Sequence, residues 1–192
     1  ESPVEFVDAG IDESYVRRVL DLVDGVACTL APRSARASFG LIYTPLHGTG
    51  HVFVPRVLHE LGFASAQVVL EQSVPDGAFS TVGCPNPEDP GAFEMAIAQA
   101  HEAAVVGAQP EIILATDPDC DRVGVGVWDG SAGRYHVLTG NQTGVLLADF
   151  LIEGARASGH DLAGCAIIKT IVSTEMATAI AAAAGVRVID TL

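Results

Sequence analysis

Three aspartates at alternate positions are the residues of this sequence best suited to chemistry. Residues 117–122 read DPDCDR, so Asp117, Asp119 and Asp121 lie close together along the chain. Neighbouring carboxylates repel each other by a few kcal/mol at an effective dielectric of about 20, and a bound cation removes that cost. Hard oxygen ligands with open coordination positions suit Mg²⁺, which readily shares phosphate oxygens. The run therefore predicts a divalent metal site, with Arg122 as the nearest cation for an anionic substrate.

Two other interpretations of the aspartate run deserve comparison with this one. An EF-hand loop is excluded, because counting from Asp117 puts Arg122 where the loop needs glycine and Trp128 where it needs glutamate. A solvated acidic turn that binds nothing is the plain alternative, but the ordered pattern between two apolar runs disfavours it. Cys120 is interpreted as a residue that fills space rather than as a nucleophile.

A second candidate loop reads TPLHGTG over residues 44–50. It follows a predicted strand and precedes a predicted helix, so its glycines and the helix N-terminus can hold a phosphate. It is not a P-loop, because the Gly-Lys-Ser/Thr ending is absent. We expect His47 and Gly48 near a phosphate or substrate; a simple turn, with His47 bonded to backbone, remains open. The run PNPE at 85–88 is at least as well explained as a rigid turn.

The elements that must position these loops follow from the hydrophobic periodicity. Asp117 follows the strand predicted at 112–115, and ligands of open α/β sheets bind at such strand ends. After 139–141 the pattern restarts as a second, shorter unit, so we predict an α/β fold with a mixed sheet layered with helices plus a truncated α/β unit. The predicted helices are 13–24, 54–61, 92–105, 142–153 and 174–184, and the predicted strands are 39–43, 67–70, 112–115, 123–128, 135–138, 166–169 and 186–189, with loops at 32–37 and 71–90.

Composition limits the possible partners. The net charge is −14 and Lys169 is the only lysine, which argues against nucleic acid, whose phosphates require a basic surface. No apolar stretch approaches the roughly 18 residues of a membrane helix, so we expect no membrane partner. Four cysteines without metal-ligand spacing favour reduced thiols and a cytoplasmic protein. The chain begins without methionine and ends after a strand-like run, so we expect a segment of a longer protein.

Five segments, in this order, resemble the α-D-phosphohexomutases: TPLHGTG, PNPE, ATDPDCDRVGV, LTGNQTGVLLADFL and KTIVST. The resemblance is closest to the branch that holds phosphoglucomutase, phosphomannomutase and phosphopentomutase-like enzymes. Members are four-domain α/β enzymes. The resemblance implies that residues 1–11 are a linker from domain 1, that 12–138 form domain 2 with the metal loop, and that 139–192 begin domain 3.

The resemblance also implies a reaction. Asp117, Asp119 and Asp121 would hold Mg²⁺ beside a phosphoserine, whose phosphoryl group passes to a sugar phosphate through a bisphosphate intermediate. The outcome is interconversion of a sugar 1-phosphate with a 6-phosphate, or with a pentose 5-phosphate, and Arg122 would be an active-site cation. The family's loops TASHNP, with the nucleophilic serine, and GEESG have no counterpart here. We therefore expect the serine in missing domains of the same polypeptide, and no activity from this chain alone.

Two rival functions stay open at this point. A haloacid-dehalogenase-like phosphatase also places a nucleophilic aspartate after a strand in a D-x-D motif. Asp121 stands where that family expects threonine or valine, and a β-hairpin rather than a cap segment follows. The second rival is a non-catalytic α/β module with an acidic turn.

Overall fold

The computed structural model describes residues 9–27 and 32–192, so most of the expected linker at 1–11 lies outside the described residues. Within the described part, none of the helices combines the length and the hydrophobicity of a membrane span. The elements are α1 (Ala9–Ala27), α2 (Arg33–Ala37), β1 (Leu41–Thr44), α3 (Gly50–Glu60), β2 (Gln67–Val68), α4 (Glu94–Val105), β3 (Ile112–Thr116), β4 (Val123–Asp129), β5 (Arg134–Val137), α5 (Gly140–Ala157), β6 (Ala166–Thr170), α6 (Met176–Ala184) and β7 (Arg187–Thr191).

The main sheet has five strands in the order β2-β1-β3-β4-β5. Strand β1 is parallel to β2 and β3, whereas β4 is antiparallel to β3 and β5 is antiparallel to β4. Thr44 at the end of β1 pairs with Ala115 near the end of β3. Because parallel strands end at the same edge, the loops that begin at Pro45 and Asp117 leave the sheet side by side. The predicted mixed sheet is confirmed.

The core lies between this sheet and helix α4. Ile42 of β1, Ile113 of β3 and Phe93 before α4 have no exposed surface. Ala96 and Ala100 face the sheet from α4, and their small side chains let the helix approach closely. Burying an aliphatic or aromatic side chain contributes about 1.5–3 kcal/mol, so this core holds the strands that carry both loops.

A separate pair of parallel strands, β6 and β7, forms the second unit with α5 and α6. Its small core joins Ile152, Ala181 and Val186. Helix α5 begins with a capping box: the Thr139 side chain accepts from the backbone N–H of Gln142, and the Gln142 side chain accepts from the backbone N–H of Thr139. This reciprocal cap starts the helix at the predicted boundary, two residues before the predicted start.

Several predicted bounds were wrong for local reasons. The predicted loop at 32–37 contains α2, and α3 begins four residues earlier than predicted, directly after the TPLHGT segment. The strand expected at 67–70 is only two residues long, because the chain leaves β1 after Val69 and forms a 3₁₀ turn, Leu70–Gln72. A 3₁₀ turn, Pro90–Phe93, also precedes α4, and Asp89 caps it by accepting from the N–H of Gly91.

Candidate metal centre

The three aspartates converge in the loop between β3 and β4, residues 117–122, hereafter the metal loop. Each offers a carboxylate oxygen, and these atoms all lie within 4.8 Å of one another. Asp117 is completely buried, whereas Asp119 and Asp121 are exposed. The reversal is closed by the N–H of Cys120, which donates to the Asp117 carbonyl at 3.0 Å, and Cys120 itself has a left-handed φ of 63°. The loop therefore presents its carboxylates together, one anchored in the protein and two open to ligands.

Arg122 donates its two shortest hydrogen bonds to Asp117, within the same loop. Its backbone N–H donates to Oδ1 of Asp117 at 2.9 Å, and its Nε donates to Oδ2 of the same carboxylate at 2.8 Å. A further guanidinium nitrogen donates to Oδ1 of Asn86 at 3.2 Å. The arginine side chain is still 52% exposed. The guanidinium is thus held beside the aspartates with part of its surface accessible, and its contact with an anionic substrate stays a prediction.

The environment separates the acidities of the carboxylates. Burial opposes ionisation of Asp117, but the hydrogen bonds from the Arg122 backbone and guanidinium outweigh it, so the pKa of Asp117 lies below its usual value. The hydrogen bond with Asp117, followed by the charges of Asp119 and Asp117, raises the pKa of Asp121. Close like charges have this effect, because the second carboxylate ionises against the field of the first. The charge of Arg122 lowers the pKa of Asp121, but it does not outweigh the two neighbouring carboxylates.

We predict that Mn²⁺ affinity rises with pH. A proton on Asp121 competes with the cation, so the affinity should increase as pH rises through the raised pKa of that group and level off once Asp121 is ionised. Titration calorimetry with Mn²⁺ at a series of pH values measures this. In Asp121→Asn the Mn²⁺ affinity should depend much less on pH. An unchanged pH profile in that variant would contradict the assignment of Asp121 as the group whose proton competes with the cation.

The structure places His47 in a network rather than in open space. Its ring Nδ1 is 2.8 Å from the Val74 carbonyl, and Nε2 is 2.7 Å from the Thr81 hydroxyl. Its backbone N–H donates to the Gln72 carbonyl at 2.8 Å, and the residue is 7% exposed. Both ring nitrogens thus have partners in the segment that follows β2. A position of His47 near phosphate stays a prediction; the observed contacts show that its ring binds the segment that follows β2.

Gly48 brings the TPLHG segment against the metal loop. A Cβ at Gly48 would overlap the backbone of Pro118, which lies between Asp117 and Asp119. The N–H of Thr49 donates to the Pro118 carbonyl at 2.8 Å. Only glycine allows this approach of the two backbones. The presence of glycine at position 48 is thus explained by sterics, independently of any ligand.

Sequence reasoning missed the contribution of the PNPE segment. Asn86 accepts from the Arg122 guanidinium, and Pro87 is fully buried against strand β4. A Cβ at Gly124 would overlap the Pro87 carbonyl oxygen, so that strand can approach only because the residue is glycine. The sequence pattern indicates a turn, but the contacts of this turn with residues more than thirty positions away have no periodic signal.

The donor set fits a hard divalent cation. Carboxylate oxygens are the protein ligands that Mg²⁺ and Mn²⁺ prefer, and Mg²⁺ commonly binds through few carboxylates plus water and phosphate oxygens. Each Asp117 oxygen already accepts one hydrogen bond but keeps a second lone pair. The exposed position of Asp119 and Asp121 leaves space for the ligands that the protein does not supply.

Comparison with known proteins assigns the fold and the family. Residues 13–130 match the family model described as phosphoglucomutase/phosphomannomutase, alpha/beta/alpha domain II. Among solved structures, a phosphoglucomutase/phosphomannomutase family protein from Burkholderia thailandensis superposes with a TM-score of 0.67 at 20% identity, over 97% of this chain and 33% of that one. A putative phosphomannomutase from Thermus thermophilus gives a TM-score of 0.65 at 22% identity, over 100% and 38%. At these identities the structures show the fold alone.

Curated relatives point to the same group. A phosphoglucomutase of Staphylococcus haemolyticus is 34% identical over 85% of this chain and 27% of its own length. A probable phosphomannomutase of Haemophilus influenzae is 32% identical over 86% of this chain and 31% of its own length. The chain thus spans less than a third of the length of these relatives. With the matching family model over residues 13–130, the chain belongs to the phosphoglucomutase/phosphomannomutase family of α-D-phosphohexomutases.

Proposed function

We propose that this chain supplies the metal loop of a Mg²⁺-dependent phosphosugar mutase. The reaction interconverts a sugar 1-phosphate with its 6-phosphate, or with the 5-phosphate of a pentose, through a phosphoserine enzyme and a bisphosphate intermediate. The observation that carries the proposal is the convergence of Asp117, Asp119 and Asp121 beside Arg122 at one edge of the sheet. Membership in the phosphoglucomutase/phosphomannomutase family supports a mutase reaction.

The residues have distinct roles in this proposal. Phosphoryl transfer depends on positioning and on neutralising charge on the phosphoryl oxygens, and bound Mg²⁺ supplies much of that charge. Asp117, Asp119 and Asp121 hold the cation. Asp117 also fixes Arg122 through two hydrogen bonds, so that its exposed guanidinium can contact the anionic substrate. The partner is therefore a small sugar phosphate.

We further propose that the catalytic serine lies in other domains of the same polypeptide. The serine loop TASHNP is absent from these 192 residues. In this division 12–138 form domain 2 and 139–192 begin domain 3. The two-stranded β6–β7 sheet supports this domain division. Parallel sheets normally have more strands and are covered on both faces, whereas Ile168 of β6 is 68% exposed.

The rival functions are less well supported. A haloacid-dehalogenase-like phosphatase is disfavoured because Asp121 stands where that family expects threonine or valine, and because the β4–β5 hairpin follows the loop directly. A non-catalytic module would not require the exposed carboxylates of Asp119 and Asp121 to lie within 4.8 Å of the buried carboxylate of Asp117. The cytoplasmic location stays a prediction; Cys84, Cys120 and Cys165 are free in the described part of the chain, and Cys28 lies outside it.

A chimera tests the proposed function. Residues 13–130 would replace the matching segment of the Staphylococcus haemolyticus phosphoglucomutase, and conversion of glucose 1-phosphate would be followed with and without Mg²⁺. We expect Mg²⁺-dependent turnover, which Asp119→Asn should abolish in the same chimera. A chimera that folds and binds Mg²⁺ but does not turn over, or that is equally active with Asp119→Asn, would contradict the proposal.

The 192-residue chain alone should not catalyse the reaction. The reaction needs a nucleophile that carries the phosphoryl between two oxygens of the sugar, and the TASHNP serine loop that we propose for this role is absent from these 192 residues. A coupled assay with glucose 1-phosphate, glucose 1,6-bisphosphate and Mg²⁺ measures this, with the complete relative as positive control. Turnover by the purified chain above the rate of an Asp119→Asn preparation would overturn this prediction.

A further inference from the structure

We propose that Thr81 and His47 are positioning residues for the metal loop: their hydrogen bonds fix the backbone at His47, and the two residues that follow it contact Pro118 in that loop. The inference deepens the proposed function and rests on its metal site. It gives the 70–82 segment, which carries none of the proposed ligands, a part in setting the affinity of the cation. His47 acts in it through its neighbours and not by touching substrate.

The hydrogen bonds of this network share one direction. The Thr44 hydroxyl donates to Oε1 of Gln72, and Nε2 of Gln72 donates to the Thr81 hydroxyl at 3.1 Å. The Thr81 hydroxyl lies 2.7 Å from Nε2 of His47, and Nδ1 of His47 lies 2.8 Å from the Val74 carbonyl. A carbonyl only accepts, so Nδ1 carries the hydrogen and, in the neutral ring, Nε2 accepts from Thr81. Each side chain from Thr44 to His47 in this network then donates one hydrogen bond to the next group.

The network holds a backbone conformation that its residues would not adopt alone. Leu46 and His47 have φ values of 46° and 64°, in the left-handed region that residues with a Cβ disfavour. The Leu46 N–H donates to the Thr44 hydroxyl at 3.2 Å, and the His47 N–H donates to the Gln72 carbonyl. Such conformations persist where surrounding contacts over-determine them. Loosening the network at Thr81 should therefore let the loop relax.

The strained pair delivers the next two residues to the metal loop. Gly48 lies against the backbone of Pro118, and the Thr49 N–H donates to the Pro118 carbonyl at 2.8 Å. Pro118 is bonded directly to Asp117 and Asp119 in the chain. If this contact is displaced, Pro118 moves, and the two proposed ligands on either side of it move as well. The geometry of the ligands sets the metal affinity.

Thr81 is the best point at which to test the network. The residue is exposed, so a substitution leaves the core intact. Thr81→Val removes the hydroxyl at nearly constant shape, and Thr81→Ser keeps it. Tyr135→Phe is the matched control: it removes a hydroxyl that donates to the Pro110 carbonyl at 2.6 Å, near the start of β3, whereas Asp117 follows the end of that strand. Mn²⁺ dissociation constants, melting temperatures and amide exchange of Thr49 would be measured on the 192-residue chain.

We expect Thr81→Val to weaken Mn²⁺ binding by about three- to tenfold, the effect of one hydrogen bond, and to speed exchange of the Thr49 amide. Thr81→Ser should behave as wild type, and Tyr135→Phe should lower the melting temperature without changing either property. Wild-type affinity and Thr49 protection in Thr81→Val, or equal losses in Tyr135→Phe, would overturn the inference. If wild type binds no Mn²⁺, the proposed metal site fails, and Thr49 exchange alone decides: faster exchange in Thr81→Val supports the positioning role, and unchanged exchange refutes it.

Discussion

Asp119→Asn should weaken Mn²⁺ binding by about 100-fold or more. Replacing groups that only support metal ligands typically costs about 10–100-fold in affinity, and Asp119 is a proposed ligand itself. The substitution removes one negative charge from three that lie within 4.8 Å of each other. Because Asp119 is exposed and the change relieves repulsion, the metal-free chain should melt no lower than wild type.

Titration calorimetry on the wild type and the variant measures this effect. Asp149→Asn, the same chemical change at an exposed position on α5, keeps the net charge equal and should bind Mn²⁺ like wild type. If Asp119→Asn and Asp149→Asn bind equally well, general electrostatic attraction by an acidic chain explains the binding, and the three-aspartate site is wrong.

Gly124→Ala should destabilise the chain by about 1–3 kcal/mol, the usual effect of forcing extra atoms into a packed site. A Cβ at this position would overlap the Pro87 carbonyl oxygen, and a backbone atom cannot rotate away as a side chain can. The strand or the PNPE segment must then shift. Because Asn86 accepts from the Arg122 guanidinium, the shift should also disturb the arginine beside the metal loop.

Gly126→Ala provides the comparison on the same strand. Its Cβ would lie 3.4 Å from the Phe93 ring, an ordinary contact, and alanine restricts the unfolded chain, so the change should be neutral or slightly stabilising. Thermal unfolding should show Gly124→Ala melting roughly 2–12 °C below wild type, and Gly126→Ala at or above it. Equal melting temperatures for the two variants would show that the approach of Pro87 to β4 is not as close as described.

The regular elements could be predicted because their signals are local. The apolar run at 112–115 and the alternation of valine and glycine from Val123 predict β3, β4 and the hairpin to β5 within one or two residues. The 70–82 segment has no such signal, because its structure depends on hydrogen bonds to Thr44 at the end of β1 and to His47 in the loop that follows it. Strand β2 is shorter than its sequence pattern indicates for a related reason: the 3₁₀ turn that ends it is held by the hydrogen bond between Gln72 and Thr44.

The candidate site also combines residues that have a local sequence signal with residues that have none. The aspartates and Arg122 were recognisable because ligands from a single tight loop are close in sequence. Asn86 was not, since it meets Arg122 across 36 positions of the chain. A position of Gly48 near a phosphate or substrate stays a prediction, and its contact with Pro118 explains the glycine sterically through the way two loops meet. Contacts between irregular segments produce no periodic pattern in the sequence.

The most direct test of the metal site is an anomalous difference map from crystals of the chain grown with saturating Mn²⁺. We expect a peak bonded to carboxylate oxygens of Asp117, Asp119 and Asp121, with its remaining ligands on the solvent side, and no such peak in Asp119→Asn crystals. A map without Mn²⁺ at these three carboxylates, or with its strongest peak at other acidic residues, would contradict the assignment of this loop as the metal centre.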